Sequence, residues 1–74
     1  MPYLTLILLK GGEEKVREKL EKIAEKDETF KFEIKGGILK VISEDKDTAH
    51  RRGLWLKHKI EELKDCGYEV VKEW

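Results

Sequence analysis

Seventy-four residues make one domain, spanning residues 1–74, with a thin hydrophobic core that needs efficient packing or a partner chain. Sixteen Lys and Arg balance sixteen Asp and Glu, which excludes a uniformly basic nucleic-acid binder but leaves room for a local patch. No apolar run approaches the roughly 18 residues of a membrane span, and the start Met1-Pro2 carries no basic leader, so neither a membrane anchor nor secretion is expected. The single cysteine, Cys66, cannot form an internal disulfide, which fits a reducing cytoplasm.

The chain has no Asn and no Gln, and 43% of it is charged. Thermophile proteins avoid thermolabile amides and enrich Glu and Lys. Idealised designed proteins also fill helix surfaces with Glu and Lys. Both origins fit, and the Trp, Cys and His residues on helix surfaces favour the natural one.

Residues 3–10 read as a strand: a continuous apolar run, too short for a helix and ended by Gly11-Gly12. Being apolar on both faces, it belongs in the middle of a sheet. Gly12 is a plausible N-cap for a helix, and Glu13-Glu14 suit that helix's positive end. Val16, Leu20 and Ile23 repeat at helical spacing with Ala24 beside them. Glu13 with Arg17, and Glu18 with Lys22, add i,i+4 pairs. The other charges on this helix form a solvated face without a functional signal.

Phe30, Phe32 and Ile34 alternate with Lys31, Glu33 and Lys35, the pattern of a half-buried strand. Gly36-Gly37 supplies the two positive-φ residues of a type I′ hairpin turn. A two-residue turn pairs Lys35 with Ile38, Ile34 with Leu39, Glu33 with Lys40 and Phe32 with Val41. Apolar residues then face apolar residues on one side of the hairpin, and an ion pair forms on the other. Asp45 or Asp47 caps a second helix running to about residue 66, with Gly67 as its C′ residue. Residues 68–74, with Val70-Val71, read as a last strand.

The order β-α-β-β-α-β resembles the ferredoxin-like split β-α-β fold, an α+β class. Right-handed crossovers give an antiparallel four-stranded sheet of order 4-1-3-2 with two helices on one face. That fold hosts many unrelated functions and licenses none by itself.

Two surfaces stand out. In the second helix Ala49, Gly53, Leu56, Ile60 and Leu63 complete a core stripe at 4-3-4-3 spacing. Leu54 and Trp55 fall outside it. Residues 46–59 carry Lys46, Arg51, Arg52, Lys57 and Lys59 against Asp47 alone, and residues 60–74 are net acidic. Cationic side chains neutralise phosphate, and Trp stacks on an unpaired base or on Arg. Arg51, Arg52, Trp55, His58 and Lys59 are therefore the candidate site for a nucleic-acid or protein partner. In the bland alternative, Trp55 folds over the helix shoulder onto a strand edge.

The second surface is the open face of the sheet. If Leu4, Leu6 and Leu8 point inward, Tyr3, Thr5, Ile7 and Leu9 point outward and join Ile38, Ile42 and Val71. Ile7, Leu9, Ile38 and Ile42 are then the candidate interface of a homodimer. Lys31, Glu33, Lys35, Lys40 and Glu69 could instead cover the patch with their aliphatic stems. RNA-recognition domains use this face of the fold but place aromatics at its centre, where this chain has Ile and Lys.

Catalytic patterns are sparse. His50 and His58 are too far apart around the helix to share a metal easily, and no C-x-x-C or H-x-x-x-H spacing occurs, so neither a metal nor another cofactor is expected. Cys66 at a helix C-terminus would meet the negative dipole end, which disfavours a thiolate. Ser43 has no His at a suggestive spacing, and neither Gly-Gly pair matches a phosphate-binding loop.

Met1-Pro2 followed by Tyr-Leu-Thr-Leu-Ile-Leu-Leu, a turn and a helix is similar to the start of the 4-oxalocrotonate tautomerase family. The resemblance covers about the first 25 residues and implies loss of Met1 and a Pro2 amine acting as base. Such a base needs its pKa lowered by burial or nearby cations. The family has Arg shortly after the first strand, where this chain has Lys10-Gly11-Gly12, and this chain goes on to a hairpin and a second long helix. A Pro at a strand start, where a missing N–H costs nothing, explains Pro2 as well. The expectation is a non-enzymatic binding or assembly module. A designed scaffold without biological function and a proline-based tautomerase are the alternatives.

Overall fold

The computed structural model describes residues 2–72. In chain order these form β1 (Tyr3–Leu8), α1 (Glu13–Lys26), β2 (Lys31–Lys35), β3 (Ile38–Ser43), α2 (Lys46–Lys59), a 3₁₀ turn (Glu61–Leu63) and β4 (Tyr68–Lys72). The four strands make one antiparallel sheet of order β2-β3-β1-β4. Val16 and Leu20 of α1 and Leu56 of α2 join Ile7, Ile34, Leu39 and Val41 in one buried cluster. Both helices therefore cover the same face, which is the ferredoxin-like arrangement expected from the element order.

The hairpin forms in the expected register, although the expected ion pair between Glu33 and Lys40 does not close within 4 Å. Gly36 and Gly37 take φ 60° and 75°, and the β2–β3 ladder runs Lys35–Ile38, Ile34–Leu39, Glu33–Lys40 and Phe32–Val41. Asp45 caps α2, its carboxylate accepting from the Thr48 N–H at 2.7 Å. Gly12 occupies the N-cap of α1, and Glu13 and Glu14 fill the first turn. The last strand is described to Lys72, and the expected extension through Glu73 and Trp74 lies outside the described residues.

β1 faces the opposite way from the sequence expectation. Thr5 and Ile7 are fully buried under the helices, and Leu4, Leu6 and Leu8 occupy the open face. The cause is cross-strand. The hairpin fixes Leu39 and Val41 of β3 inward, and antiparallel neighbours share a face, so their partners Ile7 and Thr5 must also point inward. The Thr5 hydroxyl then donates to the carbonyl of Ala49 in α2 at 2.8 Å, which satisfies the one polar group that this choice buries. Of the four expected interface residues, Ile7 is therefore core and Leu9 packs against the core cluster, whereas Ile38 and Ile42 do lie on the open face.

The end of α2 also differs. The helix stops at Lys59, Ile60 is extended (φ −108°, ψ 114°), and the chain continues through the 3₁₀ turn. Gly67 is not a left-handed C′ residue, because its φ is not positive. At about 100° per residue, a straight helix would leave Cys66 on the border of the core stripe. The break turns the chain so that Ile60, Leu63 and Cys66 are all buried. Cys66 is thus a core thiol beyond the helix, with Sγ 3.7 Å from the Glu62 carbonyl oxygen. Gly53, in the middle of α2, lets the helix settle against β4, since a Cβ there would lie 2.8 Å from the Tyr68 ring.

Candidate functional site

Ala49, Gly53 and Leu56 bury one side of α2, as the stripe requires, and they leave Leu54 and Trp55 52% and 43% exposed. The five candidate residues on this helix do not act as one group. Arg52 turns back onto the sheet. Its Nη1 donates to the Ile42 carbonyl at 3.0 Å, its Nη2 donates to Thr29 Oγ1 at 3.1 Å, and the guanidinium lies 5.7 Å from the Phe30 ring centroid. It ties α2 to β3 and to the loop before β2, and its donors are engaged within the fold.

Trp55 faces the other helix. With Ile23 and Ile60 it forms the apolar part of an open groove of about 500 Å³ between α1 and α2, and Lys22, Lys26 and Lys59 also line that groove. The Lys59 ammonium sits 5.4 Å from the indole centroid, within cation–π range. The charges around the groove differ in their engagement. Lys19 donates to Glu62 Oε1 at 2.7 Å, and this hydrogen bond holds the Glu62 carboxyl below its ordinary pKa. Asp27 accepts from the hydroxyl and the N–H of Thr29, which lower its pKa in that order of importance. Among the described residues, Lys22, Lys26 and Lys59 make no ion pair within 4 Å.

Arg51 and His58 are exposed on the outer surface of α2, one turn before and one turn after Trp55. The structure therefore brings Arg51, Trp55, His58 and Lys59 onto one continuous surface and adds Lys22 and Lys26 from α1. The expected pair of Lys22 with Glu18 does not close within 4 Å, and neither lysine carries a functional signal in the sequence. Their own helix gives no reason to single them out, and only the packing of α1 beside α2 sets them across from an indole. His50, on the opposite shoulder, approaches the Tyr68 hydroxyl at 3.4 Å through Nδ1.

The cleft near the N-terminus is lined by Pro2, Lys31 and Arg52 together with Glu28, Glu44 and Asp45. Carboxylates outnumber cations there. Among the described residues no three His, Cys, Asp or Glu side chains gather into a metal-ligating group, and no helix is long and apolar enough to cross a membrane.

The open sheet face presents three rows across β2, β3, β1 and β4. They read Lys31–Ile42–Leu4–Val71, then Glu33–Lys40–Leu6–Glu69, then Lys35–Ile38–Leu8. Leu8 is 64% exposed and Ile38 37%, and the charged stems shield the others in part. No protein-family model, no curated protein and no solved structure matches this chain.

Proposed function

We propose that this protein is a non-catalytic binding and assembly module, which pairs with a second copy through its open sheet face and binds single-stranded nucleic acid in the groove between its helices. The observation that carries the binding role is Trp55, half-exposed beside Ile23 and Ile60, with Lys22, Lys26 and Lys59 around it in no ion pair within 4 Å among the described residues and Asp27 at the groove's edge held by Thr29. An unpaired base stacks on the indole, and the flanking phosphates meet the lysines, with Arg51 extending the track along α2. A base paired within a duplex has no free face to stack, so single strands are preferred.

Fluorescence titration tests this reading. Trp74→Phe leaves Trp55 as the only indole, and short single-stranded oligonucleotides are added at rising salt. Quenching is expected, with an affinity that falls with a log–log salt slope of about −2, as about three phosphate contacts on a single strand require. Lys22→Glu with Lys26→Glu abolishes it. Absent quenching, or binding indifferent to salt, removes the nucleic-acid reading.

A further inference from the structure

The middle row of the open face, Lys40–Leu6–Glu69, has an apolar residue flanked by opposite charges. This pattern is complementary to itself in one orientation. We infer that two copies pair face to face about a two-fold axis running along β1, so that Lys40 of each meets Glu69 of the other. This inference rests on the self-association proposed above and specifies its geometry.

Rotation about an axis along β1 keeps every row in register and exchanges the strands on either side of β1. Leu4, Leu6 and Leu8 then meet their own counterparts. Ile42 lies opposite Val71 of the second copy, and Lys40 opposite Glu69 of the second copy, twice over. Two other in-plane two-fold axes bring like charges together. An axis across the strands stacks Lys40 on Lys40 and Glu69 on Glu69. An axis between β3 and β1 sets Glu33 over Glu69 and Lys40 over Leu6. Like charges apposed in a partly dry interface oppose association, and among these axes the one along β1 alone sets Lys40 over Glu69 at both ends of the central row. Neither Lys40 nor Glu69 is in an ion pair within 4 Å among the described residues, although Glu33 is the cross-strand neighbour of Lys40 and competes for its ammonium. β2 overhangs the contact, which leaves Lys31, Glu33 and Lys35 in water. Packed sheets cross at about −30°, so the axis is inclined by about 15° to β1, which keeps the central row closest to its partner and spreads the outer rows.

The paired patch is three strands wide and five to six residues long, about 14 Å by 18 Å. That is small beside the roughly 800 Å² per partner of a standard interface, so pairing is weak and visible only at high protein concentration.

Sedimentation equilibrium of the full chain, from micromolar to millimolar, reads the outcome, with circular dichroism confirming that each variant is folded. The parent protein is expected to show a concentration-dependent monomer–dimer equilibrium. Lys40→Glu alone and Glu69→Lys alone each weaken it roughly tenfold or more, because each places like charges opposite one another at both contacts. An equimolar mixture of the two single variants restores opposite charges at both contacts and recovers dimer to near the parental level. If the parent dimerises but the mixture does not recover, the β1 axis is overturned while self-association stands. A parent that stays monomeric at every concentration overturns both.

Discussion

The two faces of β1 are a controlled comparison inside one strand. One carries Leu4, Leu6 and Leu8, the other Thr5 and Ile7, and the face with more leucine is the exposed one. A hydroxyl is buried while a leucine beyond it is left largely in water. Side-chain hydrophobicity alone would choose the reverse. The winning terms are collective. Leu39 and Val41 are already committed to the helices, Tyr68 and Val70 flank Ile7 and Thr5 from β4, and Ala49 offers an acceptor to Thr5. Facing of a central strand is a property of its neighbours, and its own pattern constrains it only when one face is plainly polar.

The largest effect that could break this comparison comes from a lysine on each face. Ile7→Lys is expected to cost more than about 4 kcal/mol, a large share of the whole stability of a small domain, and to leave the chain unfolded. Leu6→Lys, one residue away, should stay folded with a loss within about 1 kcal/mol. Urea unfolding monitored by circular dichroism separates the two, and the opposite ranking would invert the facing of β1. Leu6, rather than Ile7, is thus the position at which to probe the open face.

Gly53→Ala probes how closely α2 seats on the buried face. A Cβ would meet the Tyr68 ring at 2.8 Å, and overpacking of this kind costs about 1–3 kcal/mol against a helix-propensity gain of up to about 1 kcal/mol. A net destabilisation of about 1–2 kcal/mol in thermal melts is expected, and a stabilised variant would mean that Tyr68 yields easily. Thr5→Val keeps shape and removes the donor to Ala49. A loss of about 1 kcal/mol is expected in chemical denaturation, and an unchanged or raised stability would show that the hydroxyl merely satisfies itself.

The smallest effect lies outside the core. The Thr48 N–H and hydroxyl, in that order, hold the Asp45 carboxyl below the ordinary aspartate range. A group depressed in the folded state contributes its full stability above its unfolded value, roughly pH 4, and loses it as pH falls through the lowered folded value. Asp45→Asn keeps an acceptor for Thr48 but does not titrate. Its loss of stability between neutral pH and about pH 3 should be smaller than the parent's. Melting temperatures at both pH values check this, and equal acid sensitivity would assign the acid limb to other carboxylates.

The same contrast between local and collective terms explains what the sequence made legible. The hairpin could be read to the residue because two glycines with clear alternation on both sides leave one register. Trp55 could be read as exposed because Ala49, Gly53 and Leu56 already complete the buried stripe without it. The end of α2 could not be read. Ile60 and Leu63 continue the stripe, and the gain from burying Cys66 appears only once the sheet lies beneath. Nor could the partition of Arg52 from Trp55. Both lie on the shoulder facing away from β4, and Ile42, Thr29 and Phe30, which draw Arg52 aside, are brought there by the fold. Lys22 and Lys26 acquire meaning only from what stands across the groove.

The edges of the sheet have a consequence for the fate of the folded chain at high concentration. β2, at one border, alternates Lys31, Glu33 and Lys35, and β4, at the other, carries Glu69 and Lys72 among its described residues. A short, charged border is a poor template for another strand, so lateral growth of the sheet into ribbons or fibrils is discouraged on both sides. The proposed face-on contact about a two-fold axis would use up the patch that makes it and stop at two. Such pairing would let the chain expose Leu8 on one side of the sheet without forming endless polymers.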